Sequence, residues 1–178
     1  AEYLGEAPPA LVPPVVKFAG SKRWLVSLLV PRLHLHLANV GGTFCSPFFG
    51  SGALELALGW RDAVYGDLSP DHANLYAVLA ADSDAVSDAL DTLAALGDGE
   101  SRYYEVRKEI WPEVRGKLST AGWAARVIWL VKNNFNGLWR VRKSDGRYNV
   151  PWGKRFDVRL PGREHLAEAG VVLSRSAF

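Results

Sequence analysis

Short apolar runs alternate with amphipathic stretches along the first half of the chain. Runs at 15–18, 43–45 and 63–67 have the length and composition that predict strands. Apolar positions at helical spacing predict helices at 24–37, 53–60, 70–80 and 84–96. Strands that alternate with helices build parallel sheets covered by helices. The first half therefore predicts an α/β domain with a doubly wound parallel sheet.

The second half interrupts this alternation with a segment of different character. Its predicted elements are helices at 102–110 and 123–132, a hairpin of 138–142 and 147–150, a helix at 164–169 and a strand at 171–173. The hairpin prediction depends on Asp145 and Gly146, because Asp-Gly favours a tight turn between strands. We expect an inserted, mostly helical lobe that contains a β-hairpin, followed by a return to the α/β domain.

Local signals mark where two of the helices begin or break. Pro31 lies inside the stretch 24–37 and predicts a break or a second start there. Ser69 predicts an N-cap for the helix 70–80, and Pro70 and Asp71 suit its first turn.

The composition is that of one ordinary globular domain. Of the 178 residues, 48% are hydrophobic, which is enough for a core. Because the chain has no long apolar run and no secretory leader, we expect a soluble, cytoplasmic protein that does not bind membranes. The single cysteine, Cys45, excludes an internal disulfide, and its apolar neighbours predict that it is buried. Residues 1–14, rich in proline and alanine, predict an extended or disordered arm.

Charge is distributed very unevenly along the chain. Residues 1–101 carry 5 Lys and Arg against 12 Asp and Glu, whereas residues 102–163 carry 15 against 5. A block with ten excess positive charges, interleaved with Trp and Tyr, is typical of a phosphate-binding surface. A solvated helical face would give the same count, so charge alone leaves both interpretations open.

A glycine turn followed by an acidic residue is the first candidate for ligand chemistry. Gly50 and Gly52 lie between a predicted strand and helix, and Asp67 ends the next predicted strand. Glycines allow the backbone to approach a ligand, and a carboxylate accepts hydrogen bonds from ribose hydroxyls. Asp67 has a structural alternative, since it can cap the helix that follows. Lys22, after Ala19-Gly20-Ser21, is an anion contact or an ordinary exposed lysine.

Metal binding is not indicated. His34 and His36 lie two residues apart and would point in different directions on a helix. His72 and His165 are isolated in the sequence, and no Cys/His cluster has zinc spacing.

Three ordered segments resemble the Dam-like family of adenine-specific DNA methyltransferases. Residues 17–23, K-F-A-G-S-K-R, are similar to the family's aromatic-A-G-G-K motif. Residues 46–53, S-P-F-F-G-S-G-A, and 66–76, G-D-L-S-P-D-H-A-N-L-Y, resemble the pair E-P-F-x-G-x-G and D-I-N-x-x-L-x-x-x-Y. Residues 133–140, N-N-F-N-G-L-W-R, and 146–153, G-R-Y-N-V-P-W-G, resemble F-N-G-L-x-R and F-N-V-P-F-G.

The resemblance implies S-adenosylmethionine as the cofactor. It assigns cofactor contacts to the residues Phe18, Ala19, Gly20, Lys22, Phe48, Gly50, Gly52 and Asp67. The ring of Phe18 and the amine of Lys22 would lie against the ligand, and the glycine turn would lie under its methionine part. Asp67 would bind the ribose.

The resemblance also implies double-stranded DNA as the substrate. Phe135 matches an aromatic wedge that enters the base stack, and Asn136 and Arg140 match residues that contact bases. Arginine suits that role because it pairs in a bidentate way with guanine. Asn149 and Lys154 match positions near the phosphate backbone, which orient the protein without reading sequence.

The chain departs from the family at several positions. Phe18 replaces a tryptophan, Ser21 replaces a glycine, and Ser46 replaces the carboxylate ahead of Pro47, so the charge of that residue is absent. The catalytic tetrapeptide D-P-P-Y does not occur anywhere in the sequence. The expected explanations are a fragment, a split enzyme whose second polypeptide carries D-P-P-Y, or an inactive protein that binds cofactor or DNA. A small helical nucleic-acid-binding protein without a cofactor is the alternative from a different class.

The resemblance and the element pattern together predict the domain organisation. We expect a truncated Rossmann-like methyltransferase sheet with an inserted DNA-recognition lobe. The predicted division is an arm at 1–14, a cofactor-binding α/β part at 15–98, a target-recognition lobe at 99–163 and a return to the α/β domain at 164–178.

Overall fold

The computed structural model of the protein describes residues 11–178, and most of their regular structure is helical. After a 3₁₀ turn at Arg23–Leu25, the elements are α1 (Val26–Val40), β1 (Phe44–Ser46), α2 (Ala53–Leu58), β2 (Ala63–Tyr65), α3 (Pro70–Ala81) and α4 (Ser83–Ala94). They continue with α5 (Glu100–Glu109), α6 (Pro112–Arg115), α7 (Thr120–Asn133), a 3₁₀ turn at Phe135–Gly137 and α8 (Arg163–Leu173). The mixed α/β class predicted from the sequence is confirmed.

The sheet is small and parallel. Strands β1 and β2 pair in register, with Phe44 opposite Ala63 and Ser46 opposite Tyr65. Ala177 adds a parallel bridge to Val64 on the other side of β2. The carboxyl ends of these segments therefore lie at one edge of the sheet, which we call the carboxyl edge. Loops that leave this edge are where parallel sheets bind ligands.

Helix α7 forms the centre of the core. It packs against α3 and α4, and Ala124, Val127, Ile128 and Leu130 have no exposed surface. Its start is fixed by Ser119, whose hydroxyl accepts a hydrogen bond from the Gly122 N–H. The same hydrophobic core extends from Val12 to Leu173, so residues before and after position 98 share it. The division into domains at 98 stays a prediction.

The predicted strand at 171–173 is wrong, because these residues end helix α8. The side chains of Leu166, Ala169 and Leu173 recur at helical spacing and are buried. Gly170 lies so close to α3 that an added Cβ would be 2.7 Å from the Leu79 carbonyl oxygen. The β-branched pair Val171-Val172 favoured a strand locally, but burial of this helical face against α3 and α4 decided the element.

Three other local predictions need correction. Residues 15–18 form no strand, although Val15 and Val16 are buried. Pro31 does not break α1, since it lies on the exposed side near the start of the helix and costs one backbone hydrogen bond there. Cys45 is exposed rather than buried.

The predicted hairpin exists in a minimal form. A single antiparallel bridge joins Val141 to Tyr148, and the Gly146 N–H donates to the Arg142 carbonyl. Its turn carries the positive φ of +66° at Gly146 that an Asp-Gly turn requires.

The predictions of an N-terminal arm and of no membrane binding can be compared with the structure only for residues 11–178. The predicted arm falls partly on residues 1–10, which lie outside the described residues. At 11–14, Val12 is buried and the Pro13 carbonyl lies 2.8 Å from His165 Nε2. None of the helices between residues 11 and 178 has the length and apolar character that crossing a membrane requires.

Candidate functional site

The glycine turn and Asp67 meet at the carboxyl edge. The Gly50 N–H donates to Asp67 Oδ2 at 2.8 Å, and the Ser69 N–H donates to Oδ1 at 2.9 Å. Ser69 stands at the N-cap of α3 but its own side chain makes no cap hydrogen bond. The carboxylate of Asp67 therefore joins the turn to Ser69, the residue ahead of α3, but among the described residues it accepts no hydrogen bond from the first turn of α3, as a helix cap would. Each oxygen keeps a lone pair for a further donor.

The turn is shaped by close packing around Gly52. Its φ is +66°, and an added Cβ would lie 2.2 Å from Phe49 Cε1. The Phe49 ring is buried and packs against Tyr65 and Tyr76 at centroid distances of 5.0 and 4.4 Å. Because the ring cannot move aside, position 52 requires glycine. Gly50 is different, since its φ of +56° also favours glycine but the space around it is open.

The first motif segment lies beside this turn. Ser21 Oγ and Ser51 Oγ are 2.8 Å apart, which links residues 17–23 to the loop that follows β1. Ala19 and Gly20 are exposed, and an atom added to Gly20 would meet nothing within 4 Å. The exposed Lys22 Nζ donates to the Gly20 carbonyl at 2.8 Å. These residues line the carboxyl edge, as predicted for a cofactor site, although their contact with a cofactor stays a prediction.

Two of the predicted cofactor residues differ sharply in exposure. Phe48 is 86% exposed, and the neighbouring Leu68 is 96% exposed. Phe18 is buried instead, with its ring centroid 4.1 Å from the His72 ring and 6.2 Å from Trp139. An apolar pair thus projects from the rim of the site, whereas Phe18 forms part of its wall.

His72 is a site residue that the sequence analysis missed. Its side chain is buried, and Nδ1 lies 3.6 Å from Asp67 Oδ1. Burial lowers the pKa of His72, although the charges of Asp67 and Asp71 oppose that shift. Nε2 has no hydrogen-bond partner among residues 11–178. The available signal was the motif D-I-N-x-x-L-x-x-x-Y, which has leucine where this chain has histidine.

The segment 133–153, which we call the recognition segment after its predicted role, is fixed by a buried polar network. Asn134 Nδ2 donates to the Leu138 carbonyl at 2.6 Å and to the Tyr148 hydroxyl at 2.7 Å. The Tyr103 hydroxyl donates to the Val150 carbonyl at 3.0 Å. Burial raises the pKa of Tyr148 to about 12, so this hydroxyl stays protonated. The network ties both ends of the hairpin to the helical core, which fixes its position.

Residues predicted to contact DNA project from this fixed base. Phe135 is 49% exposed, and Asn136 beside it adopts a left-handed conformation with φ +58°. Arg140 is exposed, and its Nε donates to Asn149 Oδ1 at 2.9 Å. Lys154 is also exposed, with φ +54°. The structure brings four of these residues together in the hairpin region and sets Lys154 on the loop that leaves it.

Much of the positive charge in the basic block is used within the protein. The carboxylate partners are Asp71 for Arg115, Glu109 for Arg126, Asp145 for Arg142, Glu113 for Arg147, and Asp84 and Asp88 for Arg163. The count from the sequence therefore overstates the charge that faces a ligand.

Some other cations of the described residues form no ion pair. Within the described part of the chain, no carboxylate forms an ion pair with Arg23, Lys132 or Arg155. Burial lowers the pKa of Lys132, and the charges of Arg155 and Arg23 lower it further. These three cations come from separate parts of the sequence, and the fold brings Arg23 and Arg155 near enough to act on the charge of Lys132.

No metal site accompanies the described geometry. Among residues 11–178, no group of three or more His, Cys, Asp or Glu side chains is placed to hold a metal ion. His34 packs edge-on against Trp60 at a centroid distance of 5.8 Å, which is a structural contact.

Comparison with known proteins adds independent information. Residues 18–164 match the model of a family described as D12 class N6 adenine-specific DNA methyltransferase. The retron Ec67 DNA adenine methylase of Escherichia coli is 29% identical over 150 residues, which are 84% of this chain and 50% of that protein. The type II methyltransferase M1.LlaDCHI of Lactococcus lactis subsp. cremoris is 26% identical over 168 residues, 93% of this chain and 56% of the relative. The DNA adenine methylase of Haemophilus influenzae is 26% identical over 90% of this chain and 55% of its own length.

The chain thus spans about half the length of the curated relatives it matches.

Proposed function

Since the chain belongs to the D12 class N6 adenine-specific DNA methyltransferase family, we propose that it binds S-adenosylmethionine at the carboxyl edge and duplex DNA around Arg140. In this proposal it forms the cofactor-binding and target-recognition part of an enzyme that methylates the exocyclic amine of adenine. A cytoplasmic location belongs to the same proposal.

One observation supports this function above the others. Phe18, His72 and Trp139 come from the three separate motif segments and pack together, with ring centroids 4.1 to 6.2 Å apart. A cofactor site and a DNA surface that share a wall can bring a methyl donor and a base together. A simple helical DNA-binding protein would not need this convergence at a glycine turn.

The residues at the carboxyl edge fit a nucleoside cofactor. Gly20 and Gly50 leave open space beside the backbone, so a ligand can approach the chain closely. Asp67 would accept hydrogen bonds from ribose hydroxyls with the lone pairs that Gly50 and Ser69 leave free. Lys22 would lie near the ligand's carboxylate. When bound, the cofactor supplies a methyl group activated by a sulfonium.

The recognition segment fits duplex DNA by shape and charge. Arg140 is held by Asn149 in an extended region that projects from the core, and Phe135 is exposed beside it. Arginine can read guanine in the major groove. The cations Arg23, Lys132, Lys154 and Arg155 would contact phosphates, which orient the duplex without reading its sequence.

The chemistry of the reaction needs a group that residues 1–178 do not contain. The amine of adenine is a weak nucleophile, and the family's D-P-P-Y supplies acceptors for its hydrogens and a ring that stacks on the base. We propose that this tetrapeptide comes from polypeptide other than residues 1–178, in the same protein or in a second chain. On this proposal β1 and β2 form part of a larger Rossmann-like sheet, and residues 99–163 form its inserted recognition lobe.

The test combines binding and turnover measured on the same sample. We expect saturable one-to-one binding of S-adenosylmethionine by calorimetry, salt-dependent binding of duplex DNA by fluorescence anisotropy, and no transfer of a labelled methyl group to DNA. Turnover by this chain alone would refute the need for an added D-P-P-Y. DNA binding without any cofactor binding would replace the proposal with that of a helical DNA-binding protein.

A further inference from the structure

A buried carboxylate lies beneath the glycine turn and is not among the predicted site residues. Glu55 is in the first turn of α2 and is only 7% exposed. Its Oε1 accepts a hydrogen bond from Ser46 Oγ at 2.6 Å. Ser46 ends β1, so Glu55 belongs to the carboxyl edge rather than to the far side of the sheet.

This carboxylate lacks a cation. No lysine or arginine of the described residues forms an ion pair with Glu55, and residues 1–10 contain neither. Burial raises the pKa of Glu55, and the Ser46 hydrogen bond offsets only part of that shift. A buried carboxylate without a counter-ion is stabilised when a cation binds beside it, so Glu55 is a candidate partner for a positively charged ligand.

A second buried polar group lies beside it. The Tyr76 hydroxyl has no hydrogen-bond partner among residues 11–178. Burial raises the pKa of Tyr76, and the negative charges of Glu55 and Asp67 raise it further. Both carboxylates are thus near enough to act on this buried hydroxyl. Tyr76, whose ring packs against Phe49 of the loop after β1, is thus a buried polar residue without a hydroxyl partner among residues 11–178.

Ser46, which holds the Glu55 carboxylate, occupies the position of an acidic residue in the family motif. The motif E-P-F-x-G-x-G has a glutamate where this chain has Ser46, directly before Pro47. In the folded chain the carboxylate is present after all, supplied from nine residues downstream and held by the serine that stands in the motif position. The carboxylate of Glu55 therefore lies beside the motif position, although it belongs to α2 and not to β1.

We propose that Glu55, held by Ser46, is the anionic receptor for the positively charged methionine part of S-adenosylmethionine. This inference rests on the proposed function. The ligand carries a sulfonium and an ammonium, and a buried carboxylate without a counter-ion attracts such a cation far more strongly than an exposed one does. Glu55 is a cofactor-binding residue in this scheme and takes no part in moving the methyl group.

The test uses two ligands that differ in charge. S-adenosylmethionine carries the cationic methionine part, whereas 5′-methylthioadenosine keeps the adenosine and lacks both positive charges. By calorimetry we expect Glu55→Gln to weaken S-adenosylmethionine binding at least about tenfold, the scale of one charge-assisted contact. Binding of 5′-methylthioadenosine should be unchanged. The exposed Glu168→Gln makes the same change of charge on α8 and should affect neither ligand.

A double variant distinguishes charge from packing. Ser46→Glu combined with Glu55→Gln returns the carboxylate to the motif position and leaves an amide that can donate to it. We expect this variant to recover most of the lost affinity. In the wild type, the affinity for S-adenosylmethionine should also fall relative to that for 5′-methylthioadenosine as the pH drops through the raised pKa of Glu55, because protonation removes the negative charge. This measurement does not depend on the folding of a variant.

The outcomes separate this inference from the function it rests on. If the wild-type chain does not bind S-adenosylmethionine, the proposed function fails and this inference fails with it. If the wild-type chain binds and Glu55→Gln binds equally well, only this inference is overturned. Equal losses for both ligands would overturn it too, because they would assign Glu55 a structural role alone.

Discussion

The glycine turn with Asp67 and the hairpin with Arg140 each hold a side chain that we propose to contact a ligand, but the two side chains differ in exposure and in their partners. In both regions a side chain proposed to contact a ligand is held by an internal hydrogen bond. Asp67 is 14% exposed and holds backbone N–H groups of two segments, so it is also part of the structure. Arg140 is exposed and is held by one other side chain, that of Asn149.

Because of this difference, we expect binding and stability to depend on the same contacts at the carboxyl edge and on different contacts in the hairpin. Substitutions at the carboxyl edge should lower the free energy of unfolding together with cofactor affinity. Substitutions of exposed side chains in the hairpin should lower DNA affinity and leave unfolding unchanged, because the buried network around Asn134 and Tyr148 holds the hairpin independently. Four predictions follow this comparison from its largest effect to its smallest.

Gly52→Ala should destabilise the protein most. Alanine at φ +66° costs about 1 kcal/mol in backbone strain, and its Cβ would overlap a buried ring at a further cost of about 1–3 kcal/mol. The matched control is Gly146→Ala in the hairpin, which has the same φ of +66° but its nearest atom at 3.4 Å. Denaturant unfolding should give a loss for Gly146→Ala of only about 1 kcal/mol. Equal losses of unfolding free energy in the two variants would show that the overlap with the Phe49 ring adds nothing to the backbone strain.

Asp67→Ala should lower stability and cofactor affinity together. The change leaves the Gly50 and Ser69 N–H groups without their acceptor, but both residues are partly exposed, so water replaces part of the contact and we expect a total loss of about 1.5–3 kcal/mol. Calorimetry should show weaker S-adenosylmethionine binding, and thermal unfolding should show a lower midpoint. Asp62→Ala, which removes only a hydrogen bond from the exposed Thr43 hydroxyl, is the control. Weaker binding with unchanged stability would contradict the joined roles of Asp67.

Arg140→Ala should weaken DNA binding without changing the unfolding midpoint. Loss of one bidentate base contact costs about 1–3 kcal/mol, measured by fluorescence anisotropy with a cognate duplex. Arg142→Ala is the control in the same hairpin, because Arg142 is already paired with Asp145. If both variants bind DNA equally well, Arg140 is not a base contact.

His72→Leu should remove part of the acid sensitivity of folding. Burial lowers the pKa of His72 in the folded state, so the unfolded chain binds the proton more readily. Wild-type stability should therefore be fully present above the ordinary histidine pKa of about 6.5 and fall as the pH drops below it. The charged groups around His72 are Asp67 and Asp71, the latter paired with Arg115.

Leucine at position 72 cannot bind a proton, so the stability difference between neutral and mildly acidic buffer should shrink. Urea unfolding at two pH values measures this difference. His36→Gln, an exposed histidine on α1, should leave the difference as it is in the wild type. An unchanged difference in His72→Leu would show that other groups cause the acid sensitivity.

Apolar spacing, helix start signals and turn residues predicted most of the helices and strands correctly. Helix α3 begins at Pro70 as its start signals predicted, and α4 and α7 lie within a few residues of their predicted limits. The glycine turn was predictable because a positive φ at Gly50 and Gly52 is a requirement of the backbone alone. The strand predicted at 171–173 failed because local β propensity lost to burial of a helical face.

The sequence by itself determined the family, the glycine turn and the aromatic and basic character of the recognition segment, since each depends on residues close together in the chain. Only the tertiary structure decided which charges face outward, that His72 lies against Asp67, and that Glu55 returns a carboxylate to Ser46. Those facts depend on contacts between distant residues and on burial. Burial sets whether a charged group must find a partner inside the protein or remains free for a ligand.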